Sequence, residues 1–288
     1  MKYQLRILEK IYNRRTYSNK RLHAKIRTTI LFEVSLVTKL TSDTAFLKTV
    51  YLKEDRLPAA DHFPFDLPIM KNFTGIAFHP NVTYIIGENG MGKSTLLEAI
   101  AIGLGFNPEG GTRNFNFSSY DSHSPLDQYV RIARGTNQPK DHFFFRAESF
   151  YNVATNIEEL DAAGSIGRKI IDSYGGTSLH KQSHGEAFFA AFMHRFQGHG
   201  LYILDEPESA LSPLRQLSML RRIHDLVEEG SQFVISTHSP ILMAYPNAYI
   251  LELTEEGMQE TVLEQTSHYK VMEQFFENKE RMLYHLLQ

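Results

Sequence analysis

Residues Gly87 to Thr95 read GENGMGKST, and Gly87, Gly92, Lys93 and Ser94 fill the pattern G-x-x-x-x-G-K-[ST]. Each position has a chemical reason. Gly87, Gly90 and Gly92 permit backbone angles and close approaches that a Cβ forbids, so successive N–H groups can turn toward an anion. The backbone of Gly87, Glu88, Asn89, Gly90, Met91, Gly92, Lys93, Ser94 and Thr95 is therefore the expected cradle for a nucleotide's phosphates. Lys93 is expected to reach the β and γ phosphates as a point charge, and Ser94 to place its hydroxyl on a bridging magnesium ion. A glycine-rich turn with a chance lysine is the bland alternative. The flanks argue against it: NVTYII before the loop has strand composition, and STLLEAI after it is rich in helix formers. A helix starting there adds about half a positive charge beside the loop.

Two further segments carry chemistry. Leu201 to Glu206 (LYILDE) is an apolar strand ending in two carboxylates, as a Walker B element does. Asp205 is expected to hold magnesium, directly or through water, and Glu206 to orient and deprotonate an attacking water. By itself this segment also reads as a strand running into a solvated acidic turn. Pro207 keeps Glu206 from starting a helix, because the residue before proline disfavours the α region. Phe233 to Pro240 (FVISTHSP) puts His238 just past another apolar strand, where open α/β sheets present side chains to ligands. A histidine there can hydrogen-bond a γ-phosphate; otherwise it caps the turn at Ser239-Pro240. The interval of 33 residues (238 − 205) is about one strand-helix-strand unit, which predicts neighbouring strand ends.

The elements that must position these groups follow from pattern. From Phe46, strand-like runs FLKTVYL and Gly75 to Phe78 are broken by Pro58, Pro64 and Pro68, and predict a β lobe. Tyr129 to Ala133 and Phe143 to Arg146 are strand-like too. The polar stretch Asn152 to Gln182, with Gly164, Gly167, Gly175 and Gly176, reads as a helical insertion with short helical patches only. The last third alternates: helix near His184 to Gln197, strand Leu201 to Leu204, helix near Pro213 to Glu229, then strands Gln232 to Ser236 and Ala248 to Leu253. Such alternation makes a mostly parallel sheet flanked by helices. Beyond Ser267, Tyr269, Met272, Phe275, Phe276, Met282, Leu283 and Leu286 space as one amphipathic terminal helix.

Composition bounds the function more than it names it. The 288 residues are 42% hydrophobic, an ordinary globular mixture, and a formal charge of −3 announces no nucleic-acid partner. Cysteine is absent, which excludes disulfides, cysteine-bound zinc and a thiol nucleophile, and fits a cytoplasmic location. The longest apolar runs, Thr28 to Val37 and Ala187 to Met193, are too short to span a bilayer, so direct membrane insertion is not expected. Residues 1–44 begin with nine basic side chains against Glu9 in the first 27 positions, and read as a peripheral extension. His180, His194, His199 and His224 show no metal-ligand spacing.

In their order, GENGMGKST, LYILDEPESALS and FVISTHSP resemble the nucleotide-binding domain of the ABC ATPase superfamily, from about Phe46 to Thr266. Ser209 to Ser212 (SALS) take the place of its D-loop and His238 that of its switch histidine. The resemblance implies a signature that touches ATP held by a second copy. Lys181 to Glu186 (KQSHGE) supplies Ser183, Gly185 and Glu186, standing 90 residues after Lys93 (183 − 93) and 22 before Asp205 (205 − 183). It departs from the usual LSGGQ, with His184 for a glycine and Glu186 for the commoner glutamine. The same S-x-x-E is a capping box, and both readings describe a helix start aimed at an anion. FFFRAESF (Phe143 to Phe150) holds the Q-loop position, so Glu148 stands where a glutamine would contact magnesium. A carboxylate there changes the charge at the metal. Arg146 and Arg113 are further candidates for neutralising phosphate.

With 112 residues between Lys93 and Asp205 (205 − 93), there is no room for a long antiparallel coiled coil. The chain is similar to a compact ABC head, and in particular to soluble AAA-like ATPases with no transmembrane segment. That implies an α/β P-loop NTPase fold of ABC type, with a mostly parallel sheet, an antiparallel β lobe and a helical insertion. The expected domains are the extension 1–44, an ATPase domain 45–266 with its signature region at 152–198, and the terminal helix 267–288. The implied cofactors are ATP and Mg2+, and the implied activity is ATP hydrolysis with ATP-dependent head-to-tail homodimerisation that drives a partner protein or nucleic acid. An ATP-gated DNA- or protein-binding module, in DNA maintenance or phage defence, is the alternative. A transporter's nucleotide-binding subunit is another.

Overall fold

The computed structural model describes residues 44–53, 57–58, 62–112, 124–162 and 169–287. The basic extension, apart from residue 44, and Arg113 lie outside the described residues.

Strands form where β-branched and aromatic residues run between turn signals. They are β1 (Leu47–Leu52), β2 (Gly75–Ala77), β3 (Val82–Ile86), β4 (Val130–Arg134), β5 (Asp141–Arg146), β6 (Gly200–Asp205), β7 (Gln232–Ser236), β8 (Tyr249–Thr254) and β9 (Gly257–Thr261). One sheet is three-stranded and antiparallel, in the order β2-β1-β4. The other has six strands in the order β5-β6-β7-β3-β8-β9, parallel throughout except for the β8–β9 hairpin. Every residue of β3, β6 and β7 is buried, as expected of parallel strands covered on both faces.

The helices are α1 (Lys93–Gly103), α2 (Phe150–Ala162), α3 (His184–His194), α4 (Pro213–Glu228), the single turn α5 (Pro240–Met243), α6 (Ser267–Glu277) and α7 (Lys279–Leu286). They and the small sheet cover the large sheet in three layers. On one face Tyr84, Phe143, Phe145, Tyr202 and Leu204 meet α2, α3 and α4 through Val153, Ile157, Phe188, Phe192, Met219 and Ile223. On the other, Ile85, Leu201, Ile203 and Val234 meet Leu96, Leu97 and Ile100 of α1 and Val50 of the small sheet. Successive strand residues point to opposite faces, so Tyr84 and Ile85 join different cores.

A single amide ties the sheets together. Gln232, fully buried at the start of β7, accepts from the Phe46 and Leu47 N–H groups at 2.9 and 2.8 Å and donates to the Leu47 and His79 carbonyls at 2.8 and 2.9 Å.

Three expectations change. The segment expected to hold short helical patches contains α2, 13 residues long, whose Phe150, Val153, Ala154 and Ile157 fall at helical spacing and are buried. The β8–β9 hairpin extends the sheet beyond the expected last strand. The terminal helix 267–288 is two helices, broken at Asn278 (φ −145°, ψ 54°), and neither buries a residue fully. Asparagine competes for backbone hydrogen bonds in non-helical conformations, and Asn278 stands at the start of α7.

Candidate functional site

The carboxyl ends of β6, β7 and β3 are adjacent, and each carries one of the sequence motifs. Asp205 and Ser236 are paired in register, as are Ile85 and Ser236, so the acidic strand and the phosphate-loop strand flank β7. The inferred neighbourhood of Asp205 and His238 is thereby met.

In the loop, Gly87, Gly90 and Gly92 have φ of 144°, 80° and 95°, the conformations that glycine tolerates. Gly92 also presses on Ile69: a Cβ there would stand 2.6 Å from its Cγ2. As the N-cap of α1, Gly92 brings no side chain, and the first-turn N–H groups of Lys93, Ser94 and Thr95 face the loop uncapped. Lys93 is only 4% exposed, and its ammonium donates to the carbonyls of Gly87 at 2.7 Å and Glu88 at 2.9 Å. Burial lowers its pKa, and Glu206, Asp205, Glu208 and Glu88 work against that.

The Ser94 hydroxyl donates to Asp205 Oδ1 at 3.2 Å, and Ser236 Oγ donates to the same oxygen. Burial raises the Asp205 pKa above its ordinary value, while Ser236, Ser94 and Arg146 oppose the rise. A hydroxyl and a carboxylate placed together at a phosphate loop are the protein share of a magnesium site, whose other ligands are phosphate oxygens and water. Among the described residues no group of three or more His, Cys, Asp or Glu is arranged to hold a metal by itself. The donor set therefore fits Mg2+ bound with nucleotide.

Glu206 follows at φ +49°, a left-handed conformation that costs a non-glycine residue roughly 1 kcal/mol or more. Proline at 207 disfavours the right-handed helix, and the backbone goes further, into the left-handed region. Its N–H is held by Ser236 O at 3.2 Å and Ser236 Oγ at 3.1 Å, which keeps the carboxylate at the strand end. Glu206 Oε1 lies 3.5 Å from His238 Nε2. The His238 N–H donates to Glu208 Oε1 at 2.6 Å, and its Nδ1 lies 3.1 Å from His268 Nε2. Burial, then the nearby Lys93 and His268, push the His238 pKa down to about 4, so the ring is neutral near pH 7.

Glu208 and His268 belong to this cluster and are absent from the sequence-derived set. Glu208 had a local signal, a third carboxylate in the same turn as Asp205 and Glu206; His268 had none within its own segment.

The other candidates stand apart. Ser183 caps α3: its Oγ accepts from the Glu186 N–H at 3.4 Å, and Glu186 Oε2 accepts from the Ser183 N–H at 3.1 Å, so the capping box is real. Glu186 also pairs with Arg215 at 3.3 Å. Gly185 lies against the turn after Glu206, where a Cβ would come 2.1 Å from Ala210 O. Among the described residues no hydrogen bond or ion pair joins Ser183, Gly185 or Glu186 to the phosphate loop of the same chain. Glu148 is 84% exposed and pairs with Arg146 at 3.4 Å; the structure does not bring it to Asp205 or Ser94. Arg146 itself is bound to the buried Glu98.

A family model described as "AAA domain" matches residues 64–192, and another, "AAA domain, putative AbiEii toxin, Type IV TA system", matches residues 170–244. A protein of Caldanaerobacter subterraneus subsp. tengcongensis provisionally named an ABC transporter ATP-binding protein is 27% identical over 232 residues, covering 75% of this chain and 90% of that one. The cytochrome c biogenesis ATP-binding export protein of Legionella pneumophila is 28% identical over 188 residues, covering 61% and 88%. Among solved structures, an ATP-binding cassette of an ABC transporter in its ADP conformation is similar at 16% identity and a TM-score of 0.44, over 83% of this chain and 98% of that one. Among the described residues no helix is long and apolar enough to cross a membrane. With both AAA-domain models lying across motifs that the fold gathers on three adjacent strand ends, and with a relative named as an ABC transporter ATP-binding protein, these likenesses support an ABC-type ATPase.

Proposed function

We propose that the chain binds Mg-ATP at the loop Gly87 to Thr95 and hydrolyses it with Glu206 as the base, working in the cytoplasm as an ATP-dependent head-to-tail homodimer. The observation that carries this reading is the meeting of Ser94, Asp205, Glu206 and His238 beside a buried lysine. Lys93 and the uncapped amides of α1 bind and orient the phosphates. Glu206 accepts the proton of an attacking water. His238 Nε2, 3.5 Å from Glu206, holds that water or the γ-phosphate in line. Magnesium held by Ser94 and Asp205 would neutralise the charge that develops on the phosphate oxygens. Glu148 joins the metal site only by leaving Arg146 and swinging inward.

The remaining half of the site comes from a second copy. Ser183 and the start of α3 point a helix N-terminus outward, where it meets the γ-phosphate of the partner's ATP. Opening and closing of the dimer is what passes work to another molecule. The relatives' names motivate co-purification with a membrane subunit as the search for it.

Glu206→Gln tests the reading. It is expected to bind ATP as the parent does, to lose turnover, and to accumulate as an ATP-bound dimer by light scattering, whereas Lys93→Ala fails to bind. Turnover of Glu206→Gln at the parent rate refutes the assignment.

A further inference from the structure

The first turn of α6 is pinned to the large sheet. Thr266, fully buried, caps the helix by accepting from the Tyr269 N–H at 3.2 Å and donates to Leu263 O at 2.7 Å. Ser267 donates from its N–H and its hydroxyl to Glu252 Oε1 of β8, at 3.3 and 3.2 Å. The next residue, His268, is thereby held with its Nε2 at 3.1 Å from His238 Nδ1 and the ring centroids 5.3 Å apart.

Two imidazoles at this distance share one proton between the facing nitrogens, so one ring donates and the other accepts. Both rings are neutral: burial, Lys93 and His268 lower the His238 pKa, and burial and Lys93 lower that of His268, with Glu252 and Glu88 opposing. If His238 Nδ1 carried the proton, His238 Nε2 would turn a lone pair on the Glu206 carboxylate, which offers only lone pairs in return. If His268 Nε2 carries it, His238 Nε2–H faces Glu206 with a donor. In the second arrangement His268 Nδ1 turns a lone pair toward Ser267 Oγ at 3.5 Å; the one hydroxyl proton either stays on Glu252 Oε1 at 3.2 Å or turns to Nδ1 at the expense of that bond, while Glu252 keeps the Ser267 N–H in both cases. Both contacts are 3.5 Å long and His238 Nε2 makes no hydrogen bond among the described residues, but Glu206 carries a charge, so a lone pair turned on its carboxylate costs more than one turned on the Ser267 hydroxyl.

We propose that His268 is a positioning residue for ATP hydrolysis: it donates its Nε2–H to His238 Nδ1 and so fixes the tautomer in which His238 Nε2–H points at Glu206 and the γ-phosphate site. This rests on the function proposed above. The C-terminal helix α6, beyond the span of either family model, thereby reaches into the hydrolytic site.

The test compares the parent with His268→Ala and His268→Gln, whose amide can donate to the same nitrogen. Long-range 1H–15N imidazole spectra of the nucleotide-free proteins read which His238 nitrogen is protonated, and steady-state kinetics read kcat and KM for ATP. The expected result is a proton on Nε2 in the parent and in His268→Gln, and a mixture of tautomers in His268→Ala. The Ala variant should lose about tenfold in kcat, the worth of one ordinary hydrogen bond, with KM within about twofold, and the Gln variant should recover most of it. A proton on Nδ1 in the parent overturns the proposal, as does parent-like kcat in His268→Ala, or no recovery in a Gln variant that melts with the parent. If the parent itself turned over no faster than Glu206→Gln, the proposed function would fail, while the spectra would still decide the tautomer.

Discussion

Replacing Gly185 with Ala probes how α3 is coupled to the hydrolytic carboxylate. The added Cβ would stand 2.1 Å from Ala210 O, 3.1 Å from Ala210 C and 3.4 Å from Ala210 Cβ, so the two backbones must part by about 1 Å to reach ordinary contact. Neither side yields cheaply. α3 is locked by Phe188, Ala191 and Phe192 in the core, and the facing turn by Leu211 and by the bonds Ser209 N–H to Glu206 O (3.1 Å) and Leu211 N–H to Glu208 O (2.8 Å). Overpacking of this kind costs roughly 1–3 kcal/mol, which lowers the melting temperature by about 2–12 °C in a chain of this size. The turn that must move carries Glu206 and Glu208, and a displacement of about 1 Å at a reacting group costs up to about a hundredfold in rate. ATP affinity, set at the phosphate loop, should stay within about threefold. Differential scanning calorimetry, ATP binding by titration calorimetry and single-turnover hydrolysis measure the three quantities. Because the obstruction is a backbone oxygen, trimming Ala210 to Gly should not rescue the variant. Parent-like stability and parent-like hydrolysis in Gly185→Ala would refute the coupling, and rescue by Ala210→Gly would place the clash on the wrong atom.

Gln232→Ala should lose about 2–4 kcal/mol, seen as a lower urea midpoint, because it strands two N–H groups and two carbonyls in the junction between the sheets. Ser183→Asp keeps an N-cap acceptor but sets a second carboxylate against Glu186, whose Oε2 accepts from the Ser183 hydroxyl at 2.8 Å, so it should lose about 1 kcal/mol of stability while its charge abolishes ATP-dependent dimerisation in light scattering. His238 has a depressed pKa in the folded chain, so between pH 6.5 and about 4 the unfolded chain binds a proton that the folded one refuses. Its contribution is present above pH 6.5 and is lost as pH falls through that window, so denaturation midpoints measured from pH 7 to 4 should fall less steeply in His238→Gln than in the parent.

What was legible in the sequence was written in contiguous segments. Gly87 to Thr95 specify their own turn and helix start, and β3, β6 and β7 announce burial on both faces by being apolar at nearly every position. Even the adjacency of Asp205 and His238 followed from one interval. Contacts between distant segments were not legible. Gln232 opens a strand as an unremarkable polar residue, and only the folded chain shows that its partners lie 153 to 186 positions away. The helix α2 was hidden because polar residues and glycines around it diluted the spacing of Phe150, Val153, Ala154 and Ile157.

Glu206 and His268 show the same division inside the site. The identity of Glu206 was readable from its place after a buried strand, yet its left-handed backbone, held by Ser236 from the neighbouring strand, was not. His268 lies 30 residues beyond His238, past the β8–β9 hairpin, and no motif spans that distance. Its position is set instead by Thr266, which caps α6, and by Ser267, which fastens the helix to Glu252 of β8 as β8 pairs with the phosphate-loop strand β3. The groups that touch nucleotide must be close in space and so cluster in a few short segments, while the groups that orient them need only reach one atom. A positioning residue can therefore come from any element that the fold brings to the strand ends, and here that element is the helix after β9.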